Sequence, residues 1–346
     1  MTAPLLEVRD VHKTFPLAHG LVARATRAQR RAVHAVSGVS LSLRPGTTLG
    51  VVGESGSGKT TLGRLVLGLL RPTAGEIQFE GEQIAGASRD RWFRLRREIQ
   101  VIFQDPYASL DPRQRIEDII REPLDIHGIG TPAERRHKVA ELMDRVALSP
   151  TYARKLPHEL SGGLRQRVGI ASALVVEPKL IVADEPVSAL DVSVQGQIVD
   201  LLAELQQTTG VAYVFISHDL GVVREVSDRV AVMYLGRIVE EGTVEQVYDN
   251  PEHPYTRALL SAIPPADPTI EHRPIPLSGE IPTPIDPPTG CPFHPRCPLA
   301  QPVCASVVPP SLDYGAGHVA ACHVTAAERG MGVLAEDRKE TTVDAS

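Results

Sequence analysis

The segment Gly53-Glu54-Ser55-Gly56-Ser57-Gly58-Lys59-Thr60 matches the full GxxxxGK[ST] spacing of a phosphate-binding loop. Before it, the apolar run Thr48-Leu49-Gly50-Val51-Val52 reads as a buried strand, and Thr61 to Leu70 after it reads as a helix. A strand, a glycine-rich loop and a helix in this order commit the chain to an α/β core. The glycines let successive backbone N–H groups turn toward an anion, above the positive end of the helix dipole. Lys59 is placed to reach the β- and γ-phosphates, and the Thr60 hydroxyl to ligate Mg²⁺. Gly53, Ser55, Gly56, Ser57, Gly58 and Thr61 complete the expected contacts to nucleotide. The bland alternative, a glycine-rich turn that binds nothing, has the complete spacing and its context against it. The expectation is an ATP-binding chain.

With 346 residues the chain can bury one sizeable core and carry a smaller appendage. A net charge of −6 lacks the basic bias of nucleic-acid binders. No apolar stretch approaches the roughly 18 residues that span a bilayer. The start, Met1-Thr2-Ala3-Pro4-Leu5-Leu6-Glu7, has no charged region followed by an apolar core, so no signal peptide is expected. These features predict a cytosolic protein, or one held at a membrane only by partners.

Strands are expected at 5–11 and 39–43, ahead of the phosphate-loop strand. Between them, residues 17–32 form a basic loop with Arg24, Arg27, Arg30 and Arg31, read as a solvated hairpin tip or as a lipid or partner contact. Phe15, just after the first strand, is a candidate to stack on adenine; its alternative is plain packing. Strand-like runs recur at 76–79 and 99–103, and Gln104 then opens a polar, Pro-punctuated loop over 105–112. Helical patterning follows from about 114 to 156, an all-helical insertion in the α/β domain.

Leu160-Ser161-Gly162-Gly163 leads into an apolar helix and is either a second anion site or an ordinary helix cap. Leu180-Ile181-Val182-Ala183-Asp184-Glu185 reads as a buried strand ending in two acids, at the edge where parallel sheets bind ligands. Asp184 is the expected Mg²⁺ ligand and Glu185 the general base for the attacking water. The competing reading makes them caps of the next helix. Ser188-Ala189-Leu190-Asp191 follows, and a further apolar strand over 211–216 leads into Ser217-His218-Asp219, with His218 placed to contact the γ-phosphate.

Phosphate loop, glutamine, LSGG, apolar-Asp-Glu, SALD and histidine in this order resemble the ATP-binding-cassette ATPases over roughly residues 5–262. The resemblance implies a mixed sheet core, an antiparallel β subdomain and an inserted helical subdomain over about 105–175. It also implies a head-to-tail dimer, with each ATP sandwiched between one phosphate loop and the other LSGG segment. On that analogy Ser161, Gly162 and Gly163 contact the γ-phosphate held by the partner. Gln104 senses Mg²⁺ and water, His218 steadies the γ-phosphate, and Asp191 lines the dimer seam. Leu164 departs from the glutamine common after the two glycines, and activity is expected to survive this.

Residues 52–58, 104–112 and 253–260 further resemble the oligopeptide/dipeptide/nickel importer ATPases. Phe15-Pro16 and the basic loop match the second of the two paired ATPases in such systems. The implied partners are a second, paralogous ATPase, two membrane permease subunits that dock on the 105–112 loop and nearby helices, and an external solute-binding protein. The implied work is ATP-driven import of peptides or similar solutes from the cytoplasmic face of the inner membrane. A soluble cassette acting on ribosomes or DNA is the alternative.

From about 263 prolines cluster, reading as a semi-rigid arm to a Cys-rich segment ending near 324. Cys291, Cys297, Cys304 and Cys322, spaced C-x5-C-x6-C-x17-C, do not fit a CxxC ribbon, yet supply a complete tetrahedral set. The family's similar tail favours a [4Fe–4S] cluster, then zinc, with metal-free thiols as the alternative and His294, His318 and His323 in reserve. Residues 325–346 are polar and expected to be disordered.

Overall fold

The computed structural model describes residues 3–17, 31–105, 107, 110–264 and 272–331. The basic loop over 18–30, part of the 105–112 loop and the tail from 332 lie outside the described residues.

The chain builds two sheets. The larger runs β11-β12-β10-β9-β3-β8-β7-β6, with β3 (Thr48–Val52), β6 (Ile99–Ile102), β7 (Leu180–Asp184), β8 (Ala212–Ser217), β9 (Arg229–Tyr234), β10 (Arg237–Thr243), β11 (Leu312–Asp313) and β12 (Val319–Ala320). From β9 to β6 its pairs are parallel, while β10, β12 and β11 add antiparallel. All residues of β3 and β8 are buried, because a parallel sheet with both faces covered has no solvent side. This explains why these strands read as unbroken apolar runs.

The smaller sheet, β2-β1-β4-β5, is antiparallel and carries β1 (Leu6–Pro16), β2 (Ala32–Leu43), β4 (Ala74–Phe79) and β5 (Glu82–Gln83). Leu6, Val8 and Val11 of β1 and Ile77 and Phe79 of β4 turn inward onto a core shared with Leu62 and Leu65 of helix α1 (Lys59–Val66). The expected helical insertion is present as the helices Ile116–Ile126, Pro132–Arg145 and Gly162–Leu174. Thr131 opens the second with a reciprocal capping box to Glu134. No described helix is long and apolar enough to cross a membrane.

The C-terminal segment is more integrated than an appendage on an arm. Its strand β12 pairs with β10, Glu240 opposite Ala320, and so extends the larger sheet. Cys291, Phe293 and Cys304 belong to the same apolar core as Tyr234 and Tyr255. The expectation of disorder from 325 also fails for its first residues, since a helix covers His323–Glu328 and buries Thr325 and Ala326. The cause is specific: the hydroxyls of Tyr314 and Thr325 share a 2.9 Å hydrogen bond, and Arg329 pairs with the buried Glu252 at 2.6 Å.

Candidate active site

Strand β3 lies between β8 and β9, and its carboxyl end releases the chain into the phosphate loop at the same edge where β6, β7 and β8 end. Ligands bind in such a crevice because neighbouring connections leave in opposite directions. Two glycines make the loop possible. Gly53 (φ 151°) and Gly58 (φ 107°) adopt backbone that L side chains avoid, and a Cβ would meet the Met233 carbonyl at 2.1 Å or the Ala35 carbonyl at 2.3 Å.

Lys59 folds back over the loop, its Nζ donating to the carbonyls of Gly53 (2.7 Å) and Glu54 (3.0 Å). Burial lowers its pKa, while the charges of Glu185, Asp184 and Glu54 oppose that shift. A phosphate would compete directly for those three ammonium protons. Thr60, the next residue, donates its hydroxyl to Asp184 Oδ1 at 3.0 Å across 124 residues of sequence. Burial raises the Asp184 pKa against that hydrogen bond, and the neighbouring Glu185 charge adds to the rise.

This pair fits Mg²⁺: a hydroxyl and a carboxylate are hard oxygen donors, and such sites draw their remaining ligands from phosphates and water. Among the described residues no group of three or more His, Cys, Asp or Glu is disposed to hold a metal ion.

Glu185 occupies the left-handed region (φ 49°), rare for a residue with a Cβ and costing on the order of 1–3 kcal/mol. Its N–H donates to the Ile216 carbonyl (2.8 Å), and its own carbonyl accepts from the Ser188 hydroxyl (3.1 Å). The carboxylate takes Gln104 Nε2 on Oε2 at 2.9 Å and meets His218 Nδ1 with Oε1 at 3.2 Å. The ends of β6, β7 and β8 thus join three predicted residues around one carboxylate.

These groups line a cleft of about 780 Å³, together with Ser55, Gly56 and Thr61. Phe15 lines its apolar end with Val33 and Ala35, and the Lys13 ammonium sits 5.0 Å from the Phe15 ring centre. Ser57 is buried beneath the loop instead, its hydroxyl unpartnered and its carbonyl accepting from Gly236 N–H at 2.8 Å. Ser161, Gly162, Gly163 and Asp191 lie outside this cleft. Ser161 caps the helix Gly162–Leu174, accepting from Leu164 N–H at 3.5 Å, and Asp191 precedes the helix Val192–Thr209.

Residues that no motif announced also reach the site. Leu259 and Pro284 line the cleft, and Tyr255 and Arg296 hold Glu54. Tyr255 and Arg296 are visible in the sequence only as ordinary members of the 253–260 and 291–297 segments.

The cysteines converge without closing a metal site. Cys291, Cys304 and Cys322 are buried, Cys297 is half-buried, and all four are free thiols. Burial pushes the Cys291 thiol up to about 11, and the other three cysteines add to that rise. No group of them is disposed to hold a metal ion. The reserve histidines are committed elsewhere: His294 Nδ1 to the Cys291 carbonyl (2.9 Å), His318 Nε2 to Glu240 (2.8 Å) and His323 Nε2 to the Val307 carbonyl (2.9 Å).

A phosphate loop, a hydroxyl–carboxylate pair beside it and a glutamate held by Gln104 and His218 on this mixed sheet define an ATP-binding-cassette ATPase. Residues 36–188 match the ABC transporter family, and residues 239–304 match the oligopeptide/dipeptide transporter C-terminal region. The chain is 50% identical over 323 residues to the oligopeptide transport ATP-binding protein AppF of Bacillus subtilis, covering 92% of this chain and 97% of that one. Identity to the oligopeptide transport ATP-binding protein OppF of Escherichia coli is 50% over 308 residues, covering 88% and 92%. Among solved structures it is similar to the ATP-binding cassette MJ0796 in a dimeric post-hydrolysis state with ADP and Pi, at 28% identity and a TM-score of 0.61, covering 69% of this chain and 98% of that one. The chain belongs to the ATP-binding subunits of the oligopeptide/dipeptide ABC transporter family, and it is an ATPase.

Proposed function

We propose that this chain energises import of peptides or similar small solutes, working on the cytoplasmic face of the membrane with a second cassette ATPase and two permease subunits. The observation that carries this is the union, in one chain, of an intact hydrolytic site with the 239–304 match to the oligopeptide/dipeptide transporter C-terminal region.

The chemistry follows from the residues. Lys59 and the loop N–H groups hold the β- and γ-phosphates, and Phe15 offers a face to the base. Mg²⁺, held by Thr60 and Asp184, neutralises phosphate charge when bound. Glu185 takes the proton of a water aligned for attack, Gln104 and His218 fix its carboxylate, and His218 also contacts the γ-phosphate. Ser161, Gly162 and Gly163, which lie outside this chain's own cleft, serve the partner's nucleotide, with Asp191 at the seam. A γ-phosphate that bridges two chains favours the closed dimer. Cleaving it removes that differential contact, and the dimer opens.

The permease is assigned a seat beside the Gln104 loop. Phe93, Phe103, Tyr107 and Ile126 are exposed apolar side chains around the Gln104 loop and the first helix of the insertion, and Phe93 packs on His127 at 4.8 Å. Exposed apolar groups gathered this way mark interaction surfaces. The solute is chosen by the permease and an external binding protein.

Gentle solubilisation of membranes from cells carrying a tagged chain tests the reading. Co-purification of two multi-span proteins and a second cassette ATPase is expected. Recovery only with ribosomes or DNA-binding proteins would overturn it.

The cysteines are the second part of the proposal. On their number and on the likeness of this tail to the family's, we assign the four free thiols, one of them half-buried and none grouped to hold a metal as they stand, to a [4Fe–4S] cluster, with zinc as the other occupant. Closing it requires the thiols to lose protons and draw together. Iron, zinc and acid-labile sulfide are to be measured on protein purified without oxygen; less than stoichiometric metal of either kind would leave metal-free thiols.

A further inference from the structure

The Cys-rich segment reaches back over the chain to grip the phosphate loop. Arg296, whose side chain is 7% exposed, makes a two-pronged contact with Glu54: Nη1 to Oε2 at 2.7 Å and Nη2 to Oε1 at 3.0 Å, across 242 residues of sequence. Glu54 is the second residue of the loop, and each of its polar groups is engaged. Its N–H donates to the Tyr255 hydroxyl at 2.9 Å, and its carbonyl accepts from Lys59 at 3.0 Å.

Arg296 is itself seated. Its guanidinium lies 5.9 Å from the Tyr234 ring centre, and the rings of Tyr234, Tyr255 and Phe293 pack together at 4.7 to 5.4 Å. A second contact tells the same story. Pro284 of the same C-terminal segment lines the nucleotide cleft, and its carbonyl accepts from His34 N–H of β2 at 2.8 Å. The C-terminal segment is therefore part of the wall of the nucleotide site.

We propose that Arg296 is a positioning residue for nucleotide binding: through Glu54 it holds the phosphate loop in the shape that presents its N–H groups and Lys59 to the phosphates. The physical reason is preorganisation. A bidentate arginine–carboxylate pair is strong and directional, and here it fixes one end of a loop whose other end is fixed by helix α1. Without it, nucleotide must order the loop as it binds, and affinity pays for that ordering. The hydrolytic group of Gln104, Glu185 and His218 makes no hydrogen bond or ion pair with Arg296, so the loss belongs in binding and not in turnover.

The inference rests on the ATPase assignment, and the two are separable because nucleotide binding is measured apart from hydrolysis. Full-length Arg296→Gln, Glu54→Gln, the double variant and Arg296→Lys are titrated with a fluorescent ATP analogue and assayed for turnover. Arg296→Gln is expected to weaken nucleotide binding and raise KM on the order of tenfold, with kcat within about twofold. Glu54→Gln is expected to do the same, and the double variant to be no worse than either single one, since both remove one interaction. Arg296→Lys, which keeps the charge and loses the fork, falls between.

Unchanged affinity in Arg296→Gln would overturn the proposal. So would additive losses in the double variant, or a fall in melting temperature with affinity intact well below it, which is the signature of a merely structural contact. Wild-type protein that binds nucleotide without hydrolysing it would count against the ATPase assignment and leave the affinity comparison to decide on Arg296.

Discussion

Glu185 answers to two neighbours at once, and this sets what its replacement will do. Gln104 and His218 each hold one carboxylate oxygen, so Glu185→Gln keeps size and one acceptor but removes the base. Hydrolysis is expected to fall by about 100-fold or more, the scale of a lost general base, with nucleotide affinity nearly unchanged. Single-turnover assays beside equilibrium titration check this; full turnover would remove Glu185 from that role. Asp184 behaves differently, because burial raises its pKa. A carboxyl whose folded pKa lies above its unfolded 3.8 costs the empty protein stability as pH rises from that value through the raised one. Asp184→Asn should therefore leave nucleotide-free protein at least as heat-stable as wild type at neutral pH, while abolishing its response to Mg²⁺. Paired melting curves with and without Mg²⁺–nucleotide read both effects. A clear loss of stability in the empty variant would show that Asp184 is structural.

The strands that carry these residues were legible because burial on both faces leaves an apolar run with a polar residue where the strand reaches the ligand edge. Leu180 to Asp184 and Ala212 to Ser217 are such runs, each ending within one residue of the strand read over 180–185 and 211–216. Ser161 was legible as a cap for the same local reason. Glu54 with Arg296 was not, because nothing local or periodic marks two side chains 242 residues apart as partners. The helix Pro254–Ser261 shows the same limit. Its sequence gave a family likeness, but only packing shows that His253 caps it from a fully buried position, Nδ1 accepting from Tyr255 N–H at 3.1 Å. Burial lowers the His253 pKa from 6.5 to about 4, with Glu240 opposing and Arg257 assisting. A depressed folded pKa means stability is intact above 6.5 and is lost as pH falls from there toward about 4, by at most about 3 kcal/mol. Asn caps helices well and does not titrate in this range, so His253→Asn should flatten that acid loss. Urea titrations at pH 7 and pH 5 test this; an unchanged difference between them would place the loss elsewhere.

Taken whole, the molecule contradicts the picture of a cassette ending at 262 with a Cys-rich domain tethered beyond it. Strand β12 continues the main sheet, Phe293 packs against Tyr234 and Tyr255, and His318 pairs with the buried Glu240, which also accepts from Glu252 and His253 N–H. Cutting the chain after 262 would strip β12, Phe293 and His318 from these contacts, bare the edge of β10 and leave Glu54 without Arg296. Exposed apolar rings and an unpaired strand edge both promote association. The fragment 1–262 is therefore expected to unfold at lower urea than the full chain, to aggregate, and to bind nucleotide more weakly even where it remains folded. The last effect should be at least that of Arg296→Gln, since the Pro284 wall goes with the same contact; the first two should not appear in that variant. Urea titration, light scattering and nucleotide titration on fragment, variant and full chain separate the contributions. A fragment that matches the full chain in all three would make the C-terminal segment an independent unit, placed against the cassette without supporting it.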